Sequence, residues 1–306
     1  MAEKVRLQHR LEYGAFRAGI AGVRALPEGR AQGLAWRLGR LGHRLGIKRD
    51  VAERNLRLAF PEASAEWVRR TAEASYGHLG RETLAMLRLS WMSRDDVLER
   101  TRIVDEAPAR AHYEEGRGLV IVTGHLGNWE IGGAAVAARD YNVAAVAKRA
   151  SNPLFYERIM AARARLGLRV IDFANATRAS LRALRDGQVV ALAADQHSGA
   201  GIWVPFFGRP AATFRGPAVM ALRTAAPMYL AVCLRQADGS YEITLDQVDT
   251  TPTGDMEADV RRVTTSWVQS LEAAVRAHPE QYLWQHRRWR EPPRHAGQEP
   301  ASPTAV

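Results

Sequence analysis

The sequence is poor in cysteine and has no long uncharged run. Cys233 is the only cysteine among 306 residues, which excludes an intramolecular disulfide framework and any zinc or iron–sulfur site built from several cysteines. The longest stretch without Asp, Glu, Lys or Arg has 13 residues, 196–208, whereas a membrane-spanning helix needs about 20. We therefore predict no transmembrane helix. Arginines also interrupt the first 45 residues at short intervals, so we expect no cleaved signal peptide there.

Several common catalytic motifs are missing as well. The sequence has no G-x-S-x-G nucleophile elbow, no G-x-x-x-x-G-K-[ST] phosphate loop and no H-E-x-x-H zinc helix, which argues against an α/β-hydrolase, a P-loop nucleotide enzyme and a zinc protease. Asp195 and His197 lie close together but lack a third ligand residue, which is poor support for a metal site. We predict neither a metal nor a cofactor.

Positive charge is concentrated at one end of the chain. Residues 1–49 contain eleven Lys and Arg against three Glu, so they carry a net charge of +8 of the total +10. Leucines and aromatic residues recur between these arginines every three or four positions, as in an amphipathic helix, and Pro27 with Gly29 predicts a break into two helices. Such a segment fits the surface of an anionic bilayer. Composition alone favours the alternative, a helix packed on the core with a solvated basic face.

The remaining pattern predicts an α/β fold with a mainly parallel central sheet flanked by helices, preceded by an N-terminal helical membrane-associating extension. Apolar runs bounded by turn residues alternate with helical stretches, which indicates buried parallel strands. The predicted strands are 119–123, 143–147, 168–173, 189–194, 228–234 and 241–246. We divide the chain into a basic amphipathic segment (1–49), an α/β domain with a helical N-terminal part (50–291) and a disordered tail (292–306).

The most informative segment is LVIVTGHLGNWE, residues 119–130. It reads as a buried strand, a turn and the start of a helix, and it places His125 just beyond the carboxyl end of the strand, where functional groups gather in open α/β sheets. If His125 lies in the turn and Glu130 in the first helical turn, the carboxylate can hold one imidazole nitrogen and make the other a general base. In the alternative interpretation His125 is an ordinary turn residue and Glu130 a favourable first-turn charge.

Other candidates are weaker when taken alone. Asp195 and Gln196 follow the strand 189–194 and so fall at the same sheet edge as His125. Arg149 and Arg215 are able to hold a phosphate or an oxyanion, although most arginines are simply solvated. The apolar run IWVPFF, 202–207, is more typical of core packing, but it would contact lipid if it were exposed.

Four segments in order resemble the late acyltransferases of lipid A biosynthesis, the lauroyl and myristoyl transferases of Gram-negative envelopes. They are RALPEGRAQGLAWRLGRLGHRLGIKRDVAERNLRLAFPE (24–62), VTGHLGNWE (122–130), ADQHSGAGIWVPFFGRPAATFRGPAVMALRTAAP (194–227) and QYLWQHRRWR (281–290). An H-x4-E pattern is common by itself, whereas its combination with the VPFFGR and W-x-HRRW blocks is specific. Many relatives begin with a transmembrane helix, and this chain departs from that pattern.

The resemblance implies an enzyme that moves a fatty acyl chain from acyl carrier protein onto a hydroxyl of a lipid A precursor at the cytoplasmic face of the bacterial inner membrane. His125 would be the general base and Glu130 its partner. The residues expected to bind substrate are Asn128, Arg149, Asp195, Gln196 and Arg215. The basic N-terminus would then contact anionic lipid, IWVPFF would contact the acyl chain or bilayer, and the basic surface would dock acidic acyl carrier protein.

Three alternatives remain open at this point. The first is an acyltransferase for another glycolipid or a lysophospholipid, or one that uses acyl-CoA. The second is a non-catalytic membrane-binding protein of the same fold, which would have no evident need for both His125 and Glu130. The third, a nucleic-acid-binding protein, rests on net charge alone, and because the sequence has no recognition motif we predict no nucleic-acid partner.

Overall fold

The computed structural model describes residues 6–290, which form eleven α-helices and nine β-strands. The helices are α1 (Leu7–Arg24), α2 (Glu28–Arg44), α3 (Arg49–Ala59), α4 (Ala65–Arg88), α5 (Arg94–Arg100), α6 (Ala107–Glu114), α7 (Trp129–Ala137), α8 (Pro153–Arg165), α9 (Ala176–Arg185), α10 (Gly216–Thr224) and α11 (Met256–Ala277). The strands are β1 (Thr101–Val104), β2 (Leu119–Gly127), β3 (Val143–Ala147), β4 (Leu168–Asp172), β5 (Val189–Ala193), β6 (Ile202–Phe206), β7 (Arg209–Thr213), β8 (Met228–Arg235) and β9 (Tyr241–Val248).

Seven strands form one mainly parallel sheet in the order β1-β9-β8-β2-β5-β3-β4. All neighbouring pairs are parallel except β8 and β9, which are joined as an antiparallel hairpin. The central strands carry fully buried side chains such as Val120, Val122 and Val190, as expected when helices cover both faces of a sheet. The predicted α/β class and mainly parallel sheet are confirmed, with the addition of a short edge strand, β1, that the sequence did not indicate.

The two predicted N-terminal helices are present, and Pro27 separates them. Helix α2 packs closely along α4, where glycines permit backbone contact: a Cβ added to Gly39 would lie 2.0 Å from the carbonyl oxygen of Tyr76. Ser64 caps the start of helix α4, because its side-chain oxygen accepts a hydrogen bond from the amide of Trp67. The division into three parts remains a prediction, and the tail at 292–306 lies outside the described residues.

Three residues of the segment 202–207 belong to the hydrophobic core, namely Val204, Phe206 and Phe207, whereas Pro205 is exposed. Residues of this run form β6, which pairs with β7 in a separate antiparallel hairpin. Phe206 and Phe207 are buried against Tyr282, Trp284 and Trp289, so the expected contact of IWVPFF with lipid is wrong for both phenylalanines. Within 6–290, no helix combines the length and apolar character that a membrane crossing demands.

Candidate active site

His125 lies where the pairing of β2 with β8 becomes irregular. Thr123 pairs with Ala231 and Gly127 with Cys233, so four residues of β2 advance against two of β8. Gly127 makes this bulge possible because its φ is +63° and a Cβ there would lie 1.9 Å from the carbonyl oxygen of Cys233. The extra residues turn the His125 side chain towards the end of the neighbouring strand, β5.

The imidazole of His125 is hydrogen-bonded to the carboxylate of Asp195. The Nδ1 atom of His125 lies 2.6 Å from Oδ1 of Asp195, and the backbone N–H of His125 donates to Oδ2 at 2.9 Å. Asp195 is only 2% exposed, so few water molecules compete for its carboxylate. An ionised Asp195 accepts a hydrogen bond from the Nδ1–H group and leaves Nε2 as the basic nitrogen. This is the arrangement of a general base with an orienting carboxylate.

The ion pair outweighs burial in setting the charge of both groups. Burial alone would lower the pKa of His125, but the charge and hydrogen bond of Asp195 raise it above its ordinary value. Burial alone would raise the pKa of Asp195, but the adjacent His125, helped by the charge of Arg288, lowers it to about 2. The carboxylate therefore stays ionised throughout the physiological pH range.

Gln196 reaches the other imidazole nitrogen. Its side-chain amide nitrogen lies 3.2 Å from Nε2 of His125, and it can donate to that nitrogen when the imidazole is neutral. The predicted pair Asp195 and Gln196 thus brackets the imidazole, with one residue at each ring nitrogen.

Glu130 does not make the predicted hydrogen bond to His125. It lies in the first turn of α7 as expected, but its carboxylate is gripped by the guanidinium of Arg163 from α8, through Nε at 3.1 Å and through Nη2. Both side chains are largely buried. The two side chains diverge because the start of α7 directs Glu130 towards α8, while the bulge in β2 directs His125 towards β5.

The other three predicted substrate-binding residues are occupied elsewhere. Asn128 is 1% exposed; its side chain caps α7 by accepting from the amide of Ile131 and donates to Glu82. The guanidinium of Arg149 lies over the ring of Tyr156 at 5.0 Å. Arg215 pairs with Glu257 on α11 at 2.6 Å. Of the predicted site residues, the structure therefore brings together His125, Asp195 and Gln196. Asn128, Arg149 and Arg215 make contacts elsewhere.

A C-terminal segment that no local pattern marked as catalytic closes the back of the site. Tyr282 donates its hydroxyl proton to Oδ2 of Asp195 at 3.0 Å, and the amide of Leu283 donates to the carbonyl of His125 at 3.0 Å. Asn55 on α3 holds the same segment by donating to the carbonyl oxygens of Trp284 and His286. The signal in the sequence was the QYLWQHRRWR block, whose residue roles require the tertiary structure.

A cleft of about 420 Å³ opens in front of His125. Its walls include Trp129, Gln196 and the Glu130–Arg163 pair, and small residues of β3 and β5 line its floor: Ala145, Val146, Ala147, Ala191 and Ala193. A smaller apolar cavity of about 40 Å³ shares Thr123, Trp129, Gly133 and Ala191 with this cleft. In the described part of the chain, no group of three or more His, Cys, Asp or Glu side chains is placed to bind a metal ion.

The chain is similar in sequence to known bacterial acyltransferases. The family model for bacterial lipid A biosynthesis acyltransferases matches residues 2–291. The phosphatidylinositol mannoside acyltransferase of Mycolicibacterium smegmatis is 26% identical over 282 residues, which cover 90% of each chain. In Escherichia coli, the lipid A biosynthesis lauroyltransferase is 27% identical over 84% of each chain, and the lipid A biosynthesis palmitoleoyltransferase is 27% identical over 83% of this chain and 85% of its own. The chain therefore belongs to the bacterial lipid A biosynthesis acyltransferase family.

Proposed function

We propose that this protein is an O-acyltransferase that moves a fatty acyl chain from acyl carrier protein to a hydroxyl of a lipid A precursor. The observation that carries the proposal is the buried His125–Asp195 pair at the base of an open cleft with an apolar floor. A hydroxyl placed at Nε2 of His125 meets a base whose other nitrogen is held by a carboxylate. The membership of the chain in the acyltransferase family supports the same chemistry.

The reaction needs no nucleophile from the protein. His125 takes the proton of the acceptor hydroxyl, whose oxygen attacks the thioester carbonyl carbon to form a tetrahedral oxyanion. As this intermediate collapses, the C–S bond breaks, the ester C–O bond remains, and His125 returns its proton to the departing sulfur. Asp195 stabilises the imidazolium between these two steps, and Gln196 moves aside from Nε2 when the hydroxyl binds.

Glu130 contributes through Arg163 in this proposal. The pair lines the cleft and also a separate apolar pocket of about 120 Å³ between α4 and α8. By neutralising Arg163, Glu130 keeps the wall between these two spaces in place, and its charge adds only a secondary contribution to the raised pKa of His125. The acyl chain lies on the apolar floor of the cleft, where the shared lining of the 40 Å³ cavity gives it room to extend.

The N-terminal helices supply the contact with the membrane. Helix α2 exposes Leu34, Leu38 and Leu41 between its basic residues, and Leu45 at its C-cap extends the same row; these leucines are 43–68% exposed. An apolar stripe bordered by arginines is suited to the headgroup region of an anionic bilayer, with the protein attached peripherally at the cytoplasmic face of the inner membrane. Arginines on the remaining surface would dock the acidic acyl carrier protein.

A second acceptor class has direct support. The Mycolicibacterium smegmatis relative is named a phosphatidylinositol mannoside acyltransferase, so a glycolipid other than a lipid A precursor is the competing acceptor. Acyl-CoA is the competing donor. Purified protein assayed with each donor and acceptor in turn separates them, with the His125→Ala variant as the control for background transfer. Mass spectrometry of lipid A from cells with and without the protein completes the test: an unchanged lipid A, together with transfer to another glycolipid, would favour the second proposal.

A further inference from the structure

The carboxylate of Asp195 has a third proton donor besides the two that His125 provides. The hydroxyl of Tyr282 donates to Oδ2 at 3.0 Å, and Tyr282 is itself 5% exposed. The same tyrosine forms a backbone bridge with Leu126, next to His125. Because its ring packs against Phe206 and Trp284, the hydroxyl oxygen is held in place beside the carboxylate.

The hydroxyl of Tyr282 withdraws negative charge from the Asp195 carboxylate, which sets the pKa of His125. A donor on a carboxylate stabilises the anion and weakens its attraction for a neighbouring cation. Oδ2 is shared between Tyr282 and the backbone N–H of His125, while Oδ1 faces the imidazole. We propose that Tyr282 is a positioning residue that fixes the Asp195 carboxylate and limits how strongly it holds a proton on His125.

Other charged groups also act on this pair and define what a test must control. These groups face His125 or Asp195 or line the spaces beside them. Glu130, Arg163, Lys148 and His197 line the cleft, and His78 and Glu82 line the small cavity behind the imidazole. His286 and Arg288 belong to the C-terminal segment. The substitutions below leave all of these side chains in place, so a shift in the His125 pKa reports on the hydroxyl of Tyr282.

The chain offers a matched control for the loss of this hydroxyl. Tyr241 is 4% exposed, and its hydroxyl donates to the buried carboxylate of Glu82 at 2.8 Å. Tyr282→Phe and Tyr241→Phe therefore each remove one buried O–H from a buried carboxylate, but only Tyr282→Phe removes it from the partner of His125. A general loosening of the fold would affect the two variants alike.

The experiment measures the pKa of His125 by nitrogen NMR of protein labelled at histidine, with the resonance assigned through His125→Gln. We expect Tyr282→Phe to raise this pKa by about 0.5 to 1 unit, because the unshared carboxylate holds the imidazolium more strongly. We expect 3-fluorotyrosine at position 282, a stronger donor of similar shape, to lower it, and Tyr241→Phe to leave it unchanged. The acid limb of kcat/KM should move in the same directions.

Two results would overturn the proposal: no shift in either Tyr282 variant, or an equal shift in Tyr241→Phe. The fluorinated protein keeps the ring and the hydroxyl, so the test remains decisive even if Tyr282→Phe does not fold. The proposal rests on His125 being the general base, but the NMR titration needs no substrate. If His125→Ala retained activity, the mechanism would fail, whereas an unshifted titration with an inactive His125→Ala would refute only the role of Tyr282.

Discussion

Replacing Asp195 by Asn is the sharpest test of which carboxylate serves His125. Asparagine keeps the shape of the side chain but places an amide N–H where, in the wild type, a carboxylate oxygen accepts a hydrogen bond from His125 or Tyr282. With that N–H facing Nδ1, the imidazole carries its proton on Nε2, the nitrogen that must act as the base. We expect kcat to fall about 10³- to 10⁴-fold, which corresponds to roughly 4 to 5.5 kcal/mol, as for other carboxylate-oriented histidines.

The same substitution should change the pH dependence of the remaining activity. Without the carboxylate, burial is the largest influence left on His125, and burial lowers the pKa of an imidazole. The acid limb of kcat/KM should therefore move to lower pH in Asp195→Asn. The assay is a kcat/KM profile between pH 4.5 and 9, with the donor thioester that the wild-type enzyme uses.

Glu130→Gln provides the comparison. It breaks the pair with Arg163, so activity should fall through displacement of the cleft wall, while the acid limb stays close to that of the wild type. Combining it with Arg163→Gln should cost little more than either change alone, because both remove the same ion pair. An acid limb that moves further in Glu130→Gln than in Asp195→Asn would refute this assignment of roles.

Three further predictions concern stability, chain length and membrane contact. The pKa of Asp195 is about 2 in the folded protein against an ordinary 3.8. Its ionisation therefore stabilises the fold above pH 4 by on the order of 2 kcal/mol, and this stabilisation is lost as the pH falls from about 4 to 2. The free energy of unfolding of Asp195→Asn, measured in urea, should lack this pH-dependent component, and a pH dependence equal to that of the wild type would contradict the prediction. Ala191→Leu, in the lining shared by cleft and cavity, should shorten the preferred acyl chain by about two or three carbons in a competition between donors; an unchanged preference would place the chain elsewhere. Changing two leucines of α2 and the leucine at its C-cap to Ser should weaken binding to anionic vesicles, measured by co-sedimentation, about 100-fold, at roughly 1 kcal/mol each. The exposed Met256→Ser on α11 should have no effect, and equal losses would argue against α2 as the contact. The three leucines are Leu38, Leu41 and Leu45.

The buried strands could be predicted closely because parallel strands covered on both faces are continuously apolar. The prediction for β3 was correct at both ends, and those for β4 and β5 were one residue too long. The hairpin β6–β7 was missed because Pro205 within β6 is unusual in a strand. Strand β1 has four residues and two of them are polar, so no run of apolar residues marks it.

Sequence reasoning brought His125 and Asp195 to one edge of the sheet but paired His125 with the wrong carboxylate. Thr123 of β2 pairs with Ala193 of β5, so His125 and Asp195 each lie two residues beyond a paired position. Had the adjacency and register of these strands been known, the contact would have followed. Adjacency of β2 and β5 depends on the whole sheet order, whereas Glu130 was favoured because it is near His125 in sequence.

The packing of α2 on α4 bears on whether the basic N-terminus is an appendage or part of the catalytic body. Gly39 and Gly33 both lie in α2, and Ala at either position should favour the helix by up to about 1 kcal/mol. A Cβ at Gly33 meets no atom within 4 Å, whereas one at Gly39 would lie 2.0 Å from the backbone oxygen of Tyr76. Gly33→Ala should therefore raise the free energy of unfolding, and Gly39→Ala should lower it by about 1 to 3 kcal/mol through forced separation of the helices.

Urea unfolding of the two variants decides the question, since the expected effects have opposite signs. If α2 were a separate segment resting loosely on the domain, both alanines would be neutral or stabilising. If Gly39→Ala destabilises the whole cooperative transition, α2 and α4 unfold together. Helix α4 also carries Glu82, which receives a hydrogen bond from Asn128, three residues from His125. The exposed leucines of α2 would then hold a fixed orientation relative to the cleft, and membrane contact would set the direction from which a lipid hydroxyl approaches Nε2.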